Sequence, residues 1–456
     1  MDGFCGLGAF GDARLDVSGY FLHEAMVASP SCCVRALGKS RARQMQYTRF
    51  LENKRVTPEE MAAHAADDTA RLAQGRHILA IQDSSDICLG GKRARAAGFG
   101  PVGKGGNLGG LCLHSMLAVD LDDGSAIGLV DFQIKNRTGG KVTPHRAREL
   151  RQRESYRWVD TVKKASHVLE GAASITAVSD RESDIYEGYA SRPSNVDLLT
   201  RSARDRRIVD ETGQQQSMYA FSDALPVCQQ VRADIPPAPK RPRRQATLDL
   251  RYATITLRRP RSVKASTGAP RSLSLTLVDI REVAPPPKTE PIHWRLLTTR
   301  AVNTPQEARQ IVALYQKRWL IEEYFKILKS GAMDVESAKI GKPATMMNML
   351  GAASVAAVTI MKLKQARDGT TQEGLEVVFD ATDEPLLEEL TFELEGNTQK
   401  QKNPHPPGSL VRAQWVIARL GGWDGYYGKP GPKTYRRGLD KFYAIKLGAK
   451  LAARLL

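Results

Sequence analysis

The stretch from Thr304 to Gly331 constrains the fold of this chain most strongly, because it predicts one long amphipathic helix. Thr304, Pro305 and Glu307 form a helix-start signal, with a threonine cap, a proline in the first turn and a glutamate three residues after the cap. No helix-breaking residue follows until Ser330 and Gly331. The pattern therefore predicts a single helix that ends near Gly331.

One face of this predicted helix carries four polar side chains. Their spacing of 3, 4 and 7 residues places them within roughly 60° of one another on an ideal helix; they are Tyr315, Arg318, Glu322 and Lys329. An apolar stripe runs beside them, at Leu314, Ile321, Phe325 and Leu328. For an arbitrary helix, the simplest interpretation is a solvated charged face. A functional interpretation depends on the rest of the chain.

The bulk composition favours a globular chain with a polyanionic partner. The 456 residues are 41% hydrophobic and 26% charged, which suits two or three domains. The formal net charge of +17 favours nucleic acid first and an acidic membrane surface second. No apolar run reaches the roughly 20 residues needed to span a bilayer. The Ala-rich segment from Met346 to Met361 is therefore predicted to be a buried core helix, and no membrane partner is expected.

The termini and the cysteines indicate a reducing, cytosolic setting. The first residues show no basic segment followed by a long apolar run, so no secretory signal is expected. The six cysteines make no Cys-x-x-Cys pair, and the eight histidines show no ligand spacing. Neither a disulfide framework nor a structural zinc site is predicted.

The order of predicted elements indicates an α/β fold, β-β-β-α-β-α-β and then the central helix. The predicted strands cover residues 77–83, 113–121, 126–134, 175–180 and 196–201, and the glycine-rich segment 90–110 is predicted to be a mobile basic loop. Residues 1–75 are predicted to be helical and carry a basic segment, which is either a phosphate-binding face or a solvated surface. A basic β insertion is predicted at 203–291, followed by a strand at 293–298. Further helices follow, with a polar linker before the C-terminal tail.

Asp83 and Asp180 each end a predicted strand, at the sheet edge where sites usually form. Together with Glu322 on the central helix, they would offer only carboxylate oxygens. Such a set suits a hard cation such as Mg²⁺ or Mn²⁺, and two such ions about 4 Å apart support displacement at phosphorus. The alternatives are that Asp83 is a turn or cap residue and that Asp180 is an N-cap.

These residues resemble a known family. Asp83-Ser-Ser, Asp180-Arg-Glu and the spacing Tyr-(2)-Arg-(3)-Glu-(6)-Lys from Tyr315 to Lys329 resemble the DDE transposases of the insertion sequence 4 family. The resemblance implies a ribonuclease-H-like mixed sheet with a β-rich insertion, flanked by helical regions. The implied domains are an end-binding domain at 1–75, a catalytic domain at 76–368 and a dimerisation region at 369–456. Two features depart from the family pattern. The segment before Gly11 is short, and Leu15 stands where members of the family usually carry a second arginine.

The resemblance also implies residue roles. Asp83, Asp180 and Glu322 would be the catalytic metal ligands, with Mg²⁺ or Mn²⁺ as the cofactor. The residues implied to contact DNA are Tyr315, Arg318, Lys329, Arg201, Trp294 and Trp319. Of these, Trp294 would stack on a flipped base. The plain alternatives are a core position for Trp294 and a surface cation for Arg201.

The function expected from this resemblance is cut-and-paste DNA transposition in the bacterial cytoplasm, at the nucleoid. The expected partners are double-stranded DNA, as terminal inverted repeats and target DNA, and a second copy of the chain in a homodimer. Two alternatives stay open. One is a non-catalytic DNA-binding or inhibitory protein derived from a transposase, and the other is a structure-selective nuclease.

Overall fold

The computed structural model describes residues 6–137, 149–235, 243–263, 267–369, 371, 373–426 and 428–453. Two compact units are present. The helical unit comprises Met1–Gln74, Ser84–Lys141 and Leu320–Leu456, and the sheet unit comprises Gly75–Asp83 and Val142–Trp319. One boundary between the units, after Gln74, lies next to the domain boundary predicted at 75, whereas no unit boundary lies at 368. The three predicted domains stay a prediction.

The secondary structure is mixed α/β, as the sequence predicted, with a large mixed sheet. The helices are α1 (Ala13–Ala28), α2 (Val34–Leu37), α3 (Arg41–Glu52), α4 (Pro58–Leu72), α5 (Lys92–Ala96), α6 (Tyr156–Val168), α7 (Tyr186–Ala190), α8 (Met218–Ala224), α9 (Pro305–Lys317), α10 (Trp319–Lys326), α11 (Pro343–Ala366), α12 (Glu384–Leu394), α13 (Leu410–Leu420) and α14 (Pro432–Ala452). The strands are β1 (His77–Gly90), β2 (Gly100–Val102), β3 (Leu108–Asp120), β4 (Ala126–Lys135), β5 (Ser174–Ser179), β6 (Val196–Arg201), β7 (Arg207–Val209), β8 (Gln215–Ser217), β9 (Gln229–Ile235), β10 (Arg244–Arg258), β11 (Ser272–Glu282) and β12 (His293–Thr298).

The helical unit is built around α11. Its side chains are mostly buried, and α1, α3, α4 and α13 pack against it. By length and composition alone α11 is apolar enough to cross a membrane, but 72% of its most apolar window is buried inside the fold. The predicted core helix at 346–361 is therefore confirmed.

Side-chain caps explain where the N-terminal helices begin. The Ser40 side chain accepts a hydrogen bond from the backbone N–H of Arg43 at the start of α3, and Thr57 does the same for Glu60 at the start of α4. Pro58 occupies the first turn of α4, where its missing N–H has no intrahelical partner to lose. The helical structure predicted within residues 1–75 is confirmed for α1 to α4.

The strands of the helical unit extend beyond their predicted limits. β1 continues past Asp83 to Gly90, and β3 begins at Leu108 rather than at 113. The segment 90–110, predicted to be a mobile loop, contains α5 and β2, and β2 pairs antiparallel with β3. The prediction failed because glycine-rich strand ends lack the apolar alternation that reveals a strand. Gly110 is required here, since a Cβ at this position would lie 2.0 Å from the carbonyl oxygen of Ile87.

The sheet unit combines parallel and antiparallel strands. The first half of β1, β5 and β6 are parallel neighbours, and β12 pairs antiparallel with β6. Beyond β12 the order continues with β11, β10, β7 and β8, while β9 also pairs with β10. The predicted β insertion thus contains a set of antiparallel strands. Residues 236–242 and 264–266 of the insertion lie outside the described residues.

The central helix differs from its prediction in two places. The capping box between Thr304 and Glu307 is confirmed at the start of α9. At Arg318 the backbone tightens, because its N–H bonds to the carbonyl oxygen of Tyr315, three residues back. From Ile327 to Gly331 the helix widens into a π-helix. No proline or glycine stands at Arg318 or at Ile327, where the two changes begin, so the helical pattern alone did not reveal them.

Candidate functional site

The strand register of the sheet unit places Asp83 and Asp180 side by side. β1 and β5 are parallel, and Ile81 on β1 is paired with Val178 on β5. Asp83 and Asp180 each follow two residues later, and the backbone of Asp180 is still extended, with φ −88° and ψ −171°. Neighbouring strands lie about 4.8 Å apart. Asp180 therefore lies just past the end of β5, and Asp83 lies beside it within β1. The predicted strand end at Asp83 is wrong, because β1 continues to Gly90.

The end of α9 supplies one partner to each aspartate. The hydroxyl of Tyr315 donates a hydrogen bond to Asp180 Oδ1 over 3.1 Å. Arg318 Nη1 donates to Asp83 Oδ2 over 2.8 Å. The two helical residues are three positions apart, so they project from neighbouring points on one helix surface. Both carboxylates thus face the same helix end.

The phenol of Tyr315 is a neutral donor in this setting. Its side chain is buried, and this burial is the largest cause that raises its pKa, with the nearby Asp180 carboxylate second. The opposing guanidinium groups of Arg318 and Arg201 lower the pKa by less. The net pKa lies well above the ordinary value of 10.0. Tyr315 therefore holds Asp180 as a hydrogen-bond donor at every physiological pH.

The ion pair between Arg318 and Asp83 is largely shielded from water. The side chains keep only 12% and 18% of their exposure, respectively. A guanidinium in this position offsets the charge of two adjacent carboxylates, which would otherwise repel each other.

Trp294 on β12 adjoins the same helix. Its ring packs edge-to-face against the ring of Tyr315, with centroids 5.2 Å apart and planes at 63°. Trp294 is half-buried, whereas Trp319 is 63% exposed. Arg201 Nη2 donates a hydrogen bond to the carbonyl oxygen of His293, the residue before Trp294. The sheet unit therefore groups Asp83, Asp180, Tyr315, Arg318 and Trp294, with Arg201 bonded next to Trp294.

The remaining predicted site residues belong to the helical unit. Glu322 lies half-buried on α10. Lys329 lies in the π-helix, where its Nζ donates to the carbonyl oxygen of Asp86 over 2.8 Å and lies 3.5 Å from Glu336 Oε1. These two contacts fix the direction of the Lys329 side chain. That Glu322 joins the two aspartates stays a prediction.

The donor chemistry of the aspartate pair suits a hard divalent cation. Two carboxylates on adjacent strands, without histidine or cysteine, are the ligand type that Mg²⁺ and Mn²⁺ prefer. Within the described part of the chain, no group of three or more His, Cys, Asp or Glu side chains is gathered closely enough to hold a metal ion. Asp83 and Asp180 could therefore supply part of the ligand set of such a cation. One oxygen of Asp83 is bonded to Arg318.

Comparison with known families adds an independent finding. Residues 241–358 match the family model described as the transposase DDE domain. This match supports a DDE transposase. The matched segment contains Trp294, Tyr315, Arg318, Glu322 and Lys329, whereas Asp83 and Asp180 precede it.

The transposase domain carries general consequences for the chain. It implies a DNA substrate and suggests a nuclease or transposase enzyme. DDE transposases generally use divalent metals. The match also suggests a protein that acts on DNA.

One polar cluster within the transposase domain was not identified from the sequence. Asp279 is completely buried on β11, where His293 and Arg295 of β12 approach it. The available signal was a single aspartate between the apolar residues Val278 and Ile280, since a buried carboxylate requires partners.

Proposed function

We propose that this chain is a cut-and-paste DNA transposase of the insertion sequence 4 family. The observation that carries the proposal is the pairing of Asp83 with Arg318 and of Asp180 with Tyr315. Two neighbouring carboxylates of the sheet thereby meet the first two residues of the motif that resembles the family signature. If the two aspartates were unrelated surface residues, they would not be expected to pair with two residues of this motif.

Within that family, we place the chain nearest to the transposase of the bacterial transposon Tn-five. The support is a set of further shared motifs, namely Gly11-Asp12-x-Arg14, Glu154-Ser155-x-Arg157-Trp158, Arg201-Ser202 and Ile417-Ala-Arg-Leu-Gly-Gly-Trp423. These motifs are spread from the first helix to the C-terminal helices.

We assign the metal ligands to Asp83, Asp180 and Glu322. Glu322 follows Arg318 by four residues, the spacing at which two side chains of one α-helix share a face. A bound Mg²⁺ or Mn²⁺ would activate the attacking oxygen and stabilise the leaving oxygen at phosphorus. Arg318 and Lys329 would then hold DNA phosphates beside the cut, since guanidinium and ammonium groups are the usual phosphate partners.

The aromatic residues have separate roles in this proposal. The half-buried Trp294 would stack on a base extruded from the duplex, and stacking of this kind is worth about 1–3 kcal/mol per base. The exposed indole of Trp319 offers a second aromatic contact to DNA. Arg201 would bind a phosphate near Trp294.

The reaction would proceed by successive attacks on phosphodiesters. Water attacks first, breaks one P–O bond, and leaves a 3′-hydroxyl and a 5′-phosphate. That hydroxyl attacks the opposite strand, which forms a hairpin and releases the flanking DNA. After the hairpin is opened by water, the 3′-hydroxyl attacks target DNA. We assign end binding to residues 1–75 and dimerisation to residues 369–456, and we place the protein at the bacterial nucleoid.

The test uses DNA duplexes that carry the short inverted repeats flanking the gene. We expect the wild-type protein to nick these ends in Mg²⁺, to stop when the metal is chelated, and to join the ends to target DNA. Glu322→Ala should abolish all three products. Glu389→Ala, which removes an exposed carboxylate from α12, is the matched control and should cut normally.

Three outcomes would contradict the proposal in different ways. If wild type and Glu322→Ala are equally inert but bind the ends, the chain is a non-catalytic DNA-binding protein. If wild type cuts without joining ends to target DNA, it is a nuclease. If Glu322→Ala cuts as well as wild type, the assigned ligand set is wrong.

A further inference from the structure

The two faces of β12 make different contacts around Trp294. The ring of Trp294 packs against Tyr315 on the face covered by α9. Side chains alternate along a strand, so His293 and Arg295 project from the opposite face. Trp294 is therefore flanked in sequence by two basic side chains that point away from its own ring.

Both flanking side chains converge on Asp279. In the register of β11 and β12, Asp279 is paired directly with Arg295. His293 Nε2 donates to Asp279 Oδ2 over 2.9 Å, and Arg295 Nε lies 3.5 Å from the same oxygen. The carboxylate thus contacts the residue before Trp294 and the residue after it.

Asp279 is held in place from two further directions. The hydroxyl of Ser222, at the end of α8, donates to Asp279 Oδ2 over 2.8 Å. Arg251 Nη1, on the neighbouring strand β10, lies 3.7 Å from Asp279 Oδ1. The Asp279 side chain has no solvent exposure, so its charge must be balanced by these neighbours.

Arg295 is itself held by Asp223 and Tyr219. Its Nη2 donates to Asp223 over 2.6 Å, and Asp223 also pairs with Arg281. The Arg295 guanidinium stacks over the ring of Tyr219, 4.1 Å from the centroid. Arg295 therefore has little freedom to rotate, and the β12 backbone is held through it.

We infer that Asp279 is a positioning residue that sets the place of the Trp294 ring against Tyr315. The inference rests on the proposed role of Trp294 in stacking on an extruded base. A strand clamped at the residues on both sides of Trp294 leaves the indole few orientations, and such preorganisation lowers the entropy lost when a base stacks on it. Asp279 itself faces the other side of the sheet and touches no reacting atom.

The first measurement is made on the protein alone. The emission of Trp294 is obtained by subtracting the spectrum of Trp294→Phe from that of wild type, and the same subtraction is made in the Asp279→Asn background. We expect Asp279→Asn to shift the Trp294 emission to longer wavelength and to increase its quenching by acrylamide. Trp158, which is buried in α6, should keep its signal in both backgrounds.

The second measurement separates two steps on DNA. Asp279→Asn should slow hairpin formation about tenfold, since this step would depend on base stacking. First-strand nicking should proceed at the wild-type rate. The matched control is Asp210→Asn, which removes a carboxylate from the turn between β7 and β8, where its side-chain partners are Thr212 and Gln216. The control should leave both the emission and the hairpin rate unchanged.

A second variant keeps the test decisive if Asp279→Asn unfolds. His293→Ala removes one of the two contacts that flank Trp294 and leaves Asp279 with Ser222, Arg295 and Arg251. It should shift the Trp294 emission in the same direction. An unchanged Trp294 signal in the folded variants, an equal shift in Asp210→Asn, or an equal loss of nicking and hairpin formation would overturn the inference. If wild type cuts no DNA, the proposed function fails, while the emission comparison still tests the positioning role.

Discussion

Tyr315 links the aspartate pair to Trp294 through two different parts of one side chain. Its hydroxyl donates to Asp180, and its ring packs against the indole of Trp294. Burial and the Asp180 carboxylate raise the pKa of this phenol, so it does not act as a base at neutral pH. Its contribution is to hold the Asp180 side chain in place.

Tyr315→Phe tests that contribution, because it removes the hydroxyl and keeps the ring against Trp294. A hydrogen bond to a charged group contributes about 1.5–3 kcal/mol, so we expect strand cleavage to slow by roughly tenfold to a hundredfold. The hydrogen bond also contributes to folding stability, so the thermal unfolding temperature should fall by a few degrees. Single-turnover nicking assays and thermal melts measure the two effects.

The matched control is Tyr252→Phe. The hydroxyl of Tyr252 donates to the carbonyl oxygen of Asn303 over 3.0 Å, so this variant removes an equivalent bond elsewhere in the sheet unit. Equal cleavage rates for wild type and Tyr315→Phe, or equal losses in both variants, would contradict the role given to Tyr315.

At the scale of elements, α1 carries an acid-sensitive group in its buried face. His23 is 2% exposed, and burial, opposed in part by Asp68, lowers its pKa from 6.5 to about 4. Below pH 6.5 the unfolded chain therefore binds a proton that the folded chain does not. The stability that His23 contributes is present above pH 6.5 and is lost as the pH falls toward 4.

The size of this loss of stability follows from the difference between the pKa of His23 in the unfolded and in the folded chain. Between pH 7 and pH 5, the lowered pKa of His23 should reduce the free energy of unfolding by about 2 kcal/mol. Urea unfolding monitored by circular dichroism at the two pH values measures this loss. In His23→Gln the pH-dependent loss should be smaller by that amount, whatever the variant does to stability at pH 7.

His167→Gln is the control, because His167 lies exposed on α6. This variant should retain the full wild-type loss between pH 7 and pH 5. A His23→Gln protein with the same pH dependence as wild type would show that another group destabilises the fold in acid.

At the scale of the whole molecule, net charge and exposed apolar surface indicate different partners. The net charge of +17 favours association with DNA, consistent with the transposase domain. The last turns of α14 instead expose leucines, since Leu447 is 53% and Leu451 is 51% exposed. Four residues separate them, so they share one face of the helix. Apolar side chains displayed in this way suit burial against a second copy of the chain.

Leu447→Glu combined with Leu451→Glu should prevent dimer formation, because charge repulsion and desolvation oppose burial of this face. The thermal unfolding temperature should hold, since both side chains are largely exposed within the monomer. Analytical ultracentrifugation with and without DNA ends measures the oligomeric state. Val283→Glu, at an exposed apolar residue of the sheet unit, is the control and should still dimerise. A dimer that survives the double substitution would place the interface elsewhere.

Local chemistry was sufficient to predict much of the fold. Strands at 77–83, 175–180 and 196–201 were predicted because short apolar runs between polar turns have few other stable conformations, and the structure confirms them. The capping box at Thr304 was predicted because its residues lie three positions apart in the chain. Features that depend on neighbouring residues can be predicted from the sequence.

Features that depend on distant residues were decided by tertiary structure. Tyr315 meets Asp180 across 135 positions and Arg318 meets Asp83 across 235, so packing of α9 on the sheet determines both pairs. The π-helix at Ile327–Gly331 and the strand β2 have no pattern of their own. The burial of Asp279 beneath β12 likewise depends on α8, β10 and β11 folding together. The amino-acid sequence alone determined which chemical groups stand at strand ends and along the central helix, whereas the packing of strands and helices decided which of those groups meet, because contact energies between distant segments exist only in the folded chain.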